Sequence, residues 1–290
     1  MNDSEEIRKN NTFNEDLLIL HDIEKQLTVL IPEVTIIRSR KLGFKFTKNH
    51  ITELSLISVN SQDVLDKIFR LRYLEKLVLV ETELTYIPDS IGNLTQLSDL
   101  SLKENSLEFV PDKLLELPNL KYLNLSNNKL KSFMTIEGQL SVLRTLELEN
   151  NHLIKVKFEE NSGFLIENLF LSNNEITDLT IDHLVNLEFL SAQFNHLSRI
   201  PEIKELKKLN TLELDFNIIT DFRIDLDKLP FLVNFSISYN KISKINFSNA
   251  KLIRIPYFFF DGNKLDKDSK RQLHQYSKTK GLKTNFIIFD

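Results

Sequence analysis

Two carboxylate pairs, Glu147/Glu149 and Glu213/Asp215, stand two residues apart, the spacing at which strand residues share one face. General acid–base chemistry would need one member of a pair desolvated in a pocket, and an open sheet face is a poor place for that. The histidines, His21, His50, His152, His183, His196 and His274, include no pair at ligand spacing on one element. The six glycines form no Gly-x-Gly-x-x-Gly and no phosphate-cradling loop. Cysteine is absent, which removes disulfides, thiolate metal sites and cysteine nucleophiles together, and fits a reducing compartment. The expectation is a protein that is not an enzyme, with no catalytic residue, cofactor or metal.

A chain of 290 residues is more than one compact core usually organises, so two domains or one elongated repeat array is expected. The net charge is −4 and no Lys/Arg block is dense enough for a nucleic-acid or membrane footprint. The N-terminus, Met1-Asn2-Asp3-Ser4-Glu5-Glu6, is polar and acidic, unlike a secretory signal. Apolar runs such as Leu17 to Leu20 and Tyr257 to Phe260 are too short to span a bilayer. A cytoplasmic monomer that engages neither membrane nor nucleic acid is expected.

One pattern recurs, Leu-x-x-Leu-x-Leu-x-x-Asn-x-Leu, as in Leu120/Leu123/Leu125/Asn128/Leu130 and Leu143/Leu146/Leu148/Asn151/Leu153. Its copies begin at 51, 74, 97, 120, 143, 166, 187, 209, 232 and 255, at intervals of 21 to 23 residues. Positions 4 and 6 alternate as in a strand, so they enter the core while 3, 5 and 7 face outward. Asn at position 9 (Asn105, Asn128, Asn151, Asn174, Asn195, Asn217, Asn240 and Asn263) ends the strand. Its amide both donates and accepts, so a stack of such side chains satisfies turn backbone that burial would otherwise orphan. Thr82 takes this place in the second repeat. Ile87-Pro88, Val110-Pro111 and Ile200-Pro201 then favour an extended or tightly turned return leg with room for a turn of 3₁₀- or α-helix at most. The units from 120 to 165 and from 209 to 254 lack that proline, and their return legs are less predictable.

From Ile51 to Leu265 these residues resemble the leucine-rich-repeat family, in its short 23-residue class with Ile/Leu-Pro after the Asn turn, like repeat proteins of cytosolic prokaryotic and archaeal type. The resemblance implies an α/β fold: a right-handed solenoid, or horseshoe, with a parallel concave sheet and short convex 3₁₀ or helical segments. It also implies, for cytosolic members, signalling partners such as small GTPases or phosphatases.

A solenoid exposes apolar surface at each end unless capped. Asn14-Glu15-Asp16 followed by Leu17, Leu20, Ile23, Leu27 and Leu30 predicts an N-capped amphipathic helix ending before Pro32. Residues Gly43 to Thr47 alternate, turn at Lys48-Asn49 and enter Ile51 to Leu56, which predicts a hairpin adding an antiparallel strand. Beyond the repeats, 268–277 predicts a short helix with Leu273 and Tyr276 inward, and Asn285 to Phe289 is apolar enough to cover the last repeat. The expected division is a disordered 1–12, an N-terminal cap at 13–50, ten repeats over 51–265 and a C-terminal cap at 266–290.

Equal positions of successive repeats form columns on the concave face. Position 8 ends in an aromatic run, Phe194, Phe216 and Tyr239, with Tyr122, Phe170, Phe189, Tyr257 and Phe259 nearby at positions 3 and 5. Positions 3, 5, 7 and 8 carry nine acids, Glu147, Glu149, Glu213 and Asp215 among them, against two bases, Lys76 and Lys103. Exposed aromatics beside charges make an interface hot spot. These residues are the candidate partner-binding face of a protein-binding scaffold, suited to a basic and apolar protein surface. The alternative is a regulator of a signalling enzyme, such as a GTPase activator, with Arg144 or Arg223 as loose candidates for a residue supplied in trans.

Overall fold

The computed structural model describes residues 14–38, 40–159, 163–203, 205–245 and 255–278, the last six of these in backbone only. The expected disorder of 1–12, the inward Leu273 and Tyr276 and the covering strand at 285–289 lie outside the described residues or side chains. The chain forms two compact units, Met1–Leu130 with Gly138–Leu146, and Lys131–Glu137 with Glu147–Asp290. Both are built as parallel-sheet solenoid.

In the first unit, helix α1 (Glu15–Leu27) is capped by Asn14, whose Oδ1 accepts from the Leu17 amide at 3.1 Å. It buries Leu17, Ile19, Leu20 and Ile23. Its Asp16 carboxylate accepts from the Ile51 amide at 2.9 Å, which ties the helix to the first repeat strand. Strands β1 (Gly43–Thr47) and β2 (His50–Ile57) pair antiparallel, with Lys48 and Asn49 both in the left-handed region at φ 51° and 68°. Two such residues in the loop give the turn whose twist matches paired strands. Parallel strands β3 (Lys76–Val80), β4 (Asp99–Ser101) and β5 (Tyr122–Asn124) follow in register, each starting at position 3 of its repeat, β3 running to position 7 and the other two to position 5.

The return legs after Pro88 and Pro111 hold a 3₁₀ turn (Asp89–Asn93) and a single α-turn, as the prolines predict. The segment 33–38 does something the repeat could not show. It leaves α1 and crosses the outer sheet face, where Ile37 is buried against Val78 and Val80, with Val34 and Ile57 packed beside them.

The second unit takes β6 (Ser132–Met134) from its first segment, and β7 (Thr145–Glu147) divides between the units. There follow β8 (Lys155–Lys157), β9 (Asn168–Phe170), β10 (Asp178–Thr180), β11 (Phe189–Ser191), β12 (Thr211–Glu213), β13 (Asn234–Ser236) and β14 (Tyr257–Phe259). Strands β9, β11, β12, β13 and β14 are neighbours in that order in one parallel sheet. Strands β6, β8 and β10 form a second, three-stranded parallel sheet. This second sheet is where two proline-free return legs and the next one start. With no ring to block the N–H ladder, three residues can stay extended and pair with the same stretch of the next repeat. Phe133, Phe158 and Phe164 pack behind it at centroid distances of 6.0 and 5.5 Å. A helix (Lys267–Lys278) closes the described chain, in the region where one was expected.

Within each unit the Leu positions of the pattern are the core. Leu120, Leu123, Leu125 and Leu130 in the first, and Ile166, Leu169, Leu171 and Ile176 in the second, have no exposed surface. Leu125→Ala should therefore lower stability by about 2–5 kcal/mol in chemical denaturation, as removal of a fully buried leucine does; a loss under about half a kcal/mol would mean that Leu125 is not a core position.

Candidate interaction face

The turn that ends each strand determines what the outer face displays. Asn174 donates from Nδ2 to the carbonyls of Leu148 and Leu171, both at 3.0 Å, while its Oδ1 accepts from the Leu153 amide at 3.1 Å. One side chain thus satisfies backbone groups of two successive repeats. Asn128 in the first unit, and Asn195, Asn217, Asn240 and Asn263 in the second, repeat the arrangement. Asn105 does the same toward Thr82, accepting from both its amide and its hydroxyl at 3.0 Å. Asn151 donates to its own repeat at Leu148 and Glu149.

To bring the Asn inward, the residue before it turns left-handed. Position 8 has φ between 52° and 63° in every repeat: Ser58, Glu81, Glu104, Asn127, Asn150, Asn173, Phe194, Phe216, Tyr239 and Gly262. Asn and Gly are the residues that tolerate this conformation best, and bulky side chains are unusual there. The three aromatics are the exception. Phe194, Phe216 and Tyr239 stack face to face, with centroids 4.3 and 4.4 Å apart and planes tilted by 7°. They stay 46%, 42% and 54% exposed. The column ends on a glycine because it must: a Cβ at Gly262 would lie 2.5 Å from the Tyr239 ring.

Phe170 and Phe189 meet at 4.8 Å beside the column and are half-buried; Tyr257 is exposed and Phe259 half-buried. Glu147, Glu149 and Glu213 are half-buried, and Glu213 accepts from Gln193 Nε2 at 2.7 Å. Tyr122 lies apart from these, half-buried in the first unit. Asp215 is a correction. Expected among the outward carboxylates, it is buried, accepting from the Ser238 amide at 2.6 Å and from the Ser236 hydroxyl. Burial pushes its carboxyl above the ordinary 3.8, against the lowering effect of those hydrogen bonds. Position 7 is a half-sheltered place, as the buried Ser126, Ser172 and Ser238 in the same column show, and those serines were the available signal. Of the arginines weighed for action in trans, Arg223 is in an ion pair with Asp221 at 2.8 Å and Arg144 is exposed.

The leucine rich repeat family description matches residues 95–153, inside the stretch where these Asn turns recur. The fold is that of leucine-rich repeats. No curated protein matches it as a whole sequence. Among solved structures, a leucine-rich-repeat protein of Leptospira interrogans is 29% identical, with a TM-score of 0.61 over 69% of this chain and 52% of its own. The chain therefore spans about half that protein. An internalin of Listeria monocytogenes is 19% identical, with a TM-score of 0.54 over 97% of this chain and 92% of its own. The ectodomain of the Arabidopsis thaliana receptor kinase GASSHO1/SCHENGEN3, solved with Casparian strip integrity factor 2, is 23% identical (TM-score 0.62, 85% of this chain and 32% of its own). At these lower identities the likeness is one of fold. Among the described residues of this leucine-rich-repeat fold, no helix is long and apolar enough to cross a membrane.

Asp215 gives the leucine-rich-repeat face a pH signature. A carboxyl raised in the fold binds its proton more tightly there than in the unfolded chain, so its ionisation destabilises the fold as pH climbs from the ordinary carboxylate range through the raised value. Asp215→Asn keeps a carbonyl acceptor for Ser236 and Ser238 without the charge. Melting of the variant should gain on the natural protein as pH rises through that window; a constant difference across the window would mean that Asp215 is not buried as described.

Proposed function

We propose that this protein is a binding module that holds a partner polypeptide on the outer sheet face of the second unit, with Phe194, Phe216 and Tyr239 as the apolar anchor. Leucine-rich-repeat folds commonly mediate protein–protein contact, and the backbone beneath this column supports its use here. A left-handed residue costs roughly 1–2 kcal/mol, least for Gly and Asn. A stacked aromatic pair returns about 0.5–1.5 kcal/mol. Three such residues and two stacks leave no clear gain for the fold, and the rings stay half in water. Strain held where no stability is gained points to use.

The partner surface is apolar, with a cationic rim facing Glu147, Glu149 and Glu213; Asp215 takes no direct part. In this reading 13–50 caps the solenoid at one end and 266–290 at the other. The cysteine-free composition suits a cytoplasmic setting. Regulation of a signalling enzyme would use the same face. Arg223, already paired with Asp221, lends no support to a residue supplied in trans.

With a partner captured from native lysate, Phe216→Ala should weaken binding by at least about 1–2 kcal/mol, chiefly through faster dissociation, with folding stability nearly unchanged. Glu213→Lys should slow association and reduce its salt dependence. A Phe216→Ala variant that binds normally but melts early would make the column structural instead.

A further inference from the structure

The first unit carries a different kind of site. A cavity of about 340 Å³ opens on its outer face, within the size range of small-ligand sites. Across its floor, position 3 of three successive repeats aligns in strict register: Lys76 opposite Asp99, and Asp99 opposite Tyr122. Neighbouring strands lie about 4.8 Å apart, so the backbone positions of a lysine, an aspartate and a tyrosine follow one another at that interval. All three are half-buried.

Among the described residues, neither charge in this row is in a direct ion pair. Lys76 has an acid on each neighbouring strand and forms an ion pair with neither. Glu53 is taken by Lys45 at 2.7 Å, and Asp99 accepts from the Ser98 hydroxyl. The Lys76 ammonium instead donates to the Ile37 carbonyl at 3.5 Å, a long contact with the segment that crosses this face. The other cations of the cavity are occupied: Lys103 and Arg40 both lie against Glu104, at 3.2 and 3.7 Å. One cation and one anion are therefore held on neighbouring strands, half-sheltered, with neither in a direct ion pair among the described residues. Asn124 Nδ2 donates to the Tyr122 hydroxyl at 3.1 Å and fixes the ring at the end of the row. Charges left half-desolvated and unpaired are costly unless something else supplies the missing partner.

We propose that this cavity binds a free α-amino acid with an apolar side chain. Its carboxylate would sit on Lys76, its ammonium on Asp99 and its side chain against Tyr122, with the Val78 and Val80 side chains lining the same cavity. A peptide carboxyl terminus lacks the ammonium and a peptide amino terminus lacks the carboxylate, so neither uses both charges.

The test titrates the full chain with L-phenylalanine and L-leucine, and with their N-acetyl and carboxamide forms, following backbone amide shifts by NMR. Shifts confined to β3, β4 and β5 are expected for the free amino acids, with at least tenfold weaker binding of each blocked form. Lys76→Gln should bind the free and amidated forms alike, and Asp99→Asn the free and acetylated forms alike. Both variants keep side-chain shape, and circular dichroism melts check their folding. Equal binding of all three forms, or no shifts at millimolar amino acid with folded protein, would overturn the proposal. Tighter binding of the acetylated form would assign the site to a peptide carboxyl terminus and overturn it equally.

Discussion

Most repeats depend on one side chain that must bond in three directions at once. The Asn at position 9 closes its own strand through Nδ2, reaches the carbonyl of the repeat before it, and accepts that repeat's amide on Oδ1. A buried turn without it would leave an N–H and two carbonyls orphaned, at about 1–3 kcal/mol for each unsatisfied group. Asp has no donor and Ser cannot span the distance, so Asn is close to the only residue that serves. Thr82 survives at this place because Asn105 of the next repeat accepts from both its amide and its hydroxyl.

The same requirement shapes the surface. Turning the Asn inward forces the preceding residue into the left-handed region and aims its side chain along the edge of the outer face, one per strand spacing. In the second unit, after Asn150 and Asn173, that column holds three rings that stack on one another, and Gly262 leaves room for the last. In the first unit it holds Ser58, Glu81 and Glu104. There the Ser58 hydroxyl, bonded to Glu81, is the main cause of that carboxyl lying below its usual range, with Glu104 and Arg40 adding to it. One backbone rule therefore supports two chemistries, an apolar ridge in one unit and a charged bowl in the other.

The repeat phase, the Asn bonds and the capping helix and hairpin were legible because each rests on a residue type at a fixed interval: Leu at 4 and 6, Asn at 9, Asn14 before an amphipathic run. The aromatic column was legible as a column. Its stacking was not, because the left-handed φ that brings the rings parallel is a property of the turn rather than of Phe or Tyr. Asp215 was misplaced because outward alternation fades at position 7, where Ser236 and Ser238 of the next repeat wrap the carboxylate. The crossing of Ile37 and Arg40 over the first unit's face left no periodic trace, since that segment belongs to no repeat. The second sheet could be anticipated only as missing prolines.

The central claim is a division of labour: asparagines hold the fold and the aromatics beside them are free to serve the face. It is tested most directly by amide hydrogen exchange at Leu197, whose N–H donates to Asn217 Oδ1 at 2.9 Å, in Asn217→Ala and in Phe216→Ala. The account predicts that the Leu197 amide loses protection in the asparagine variant and keeps it in the phenylalanine variant, one residue away. Protection that survives Asn217→Ala, or that collapses in Phe216→Ala, would contradict it.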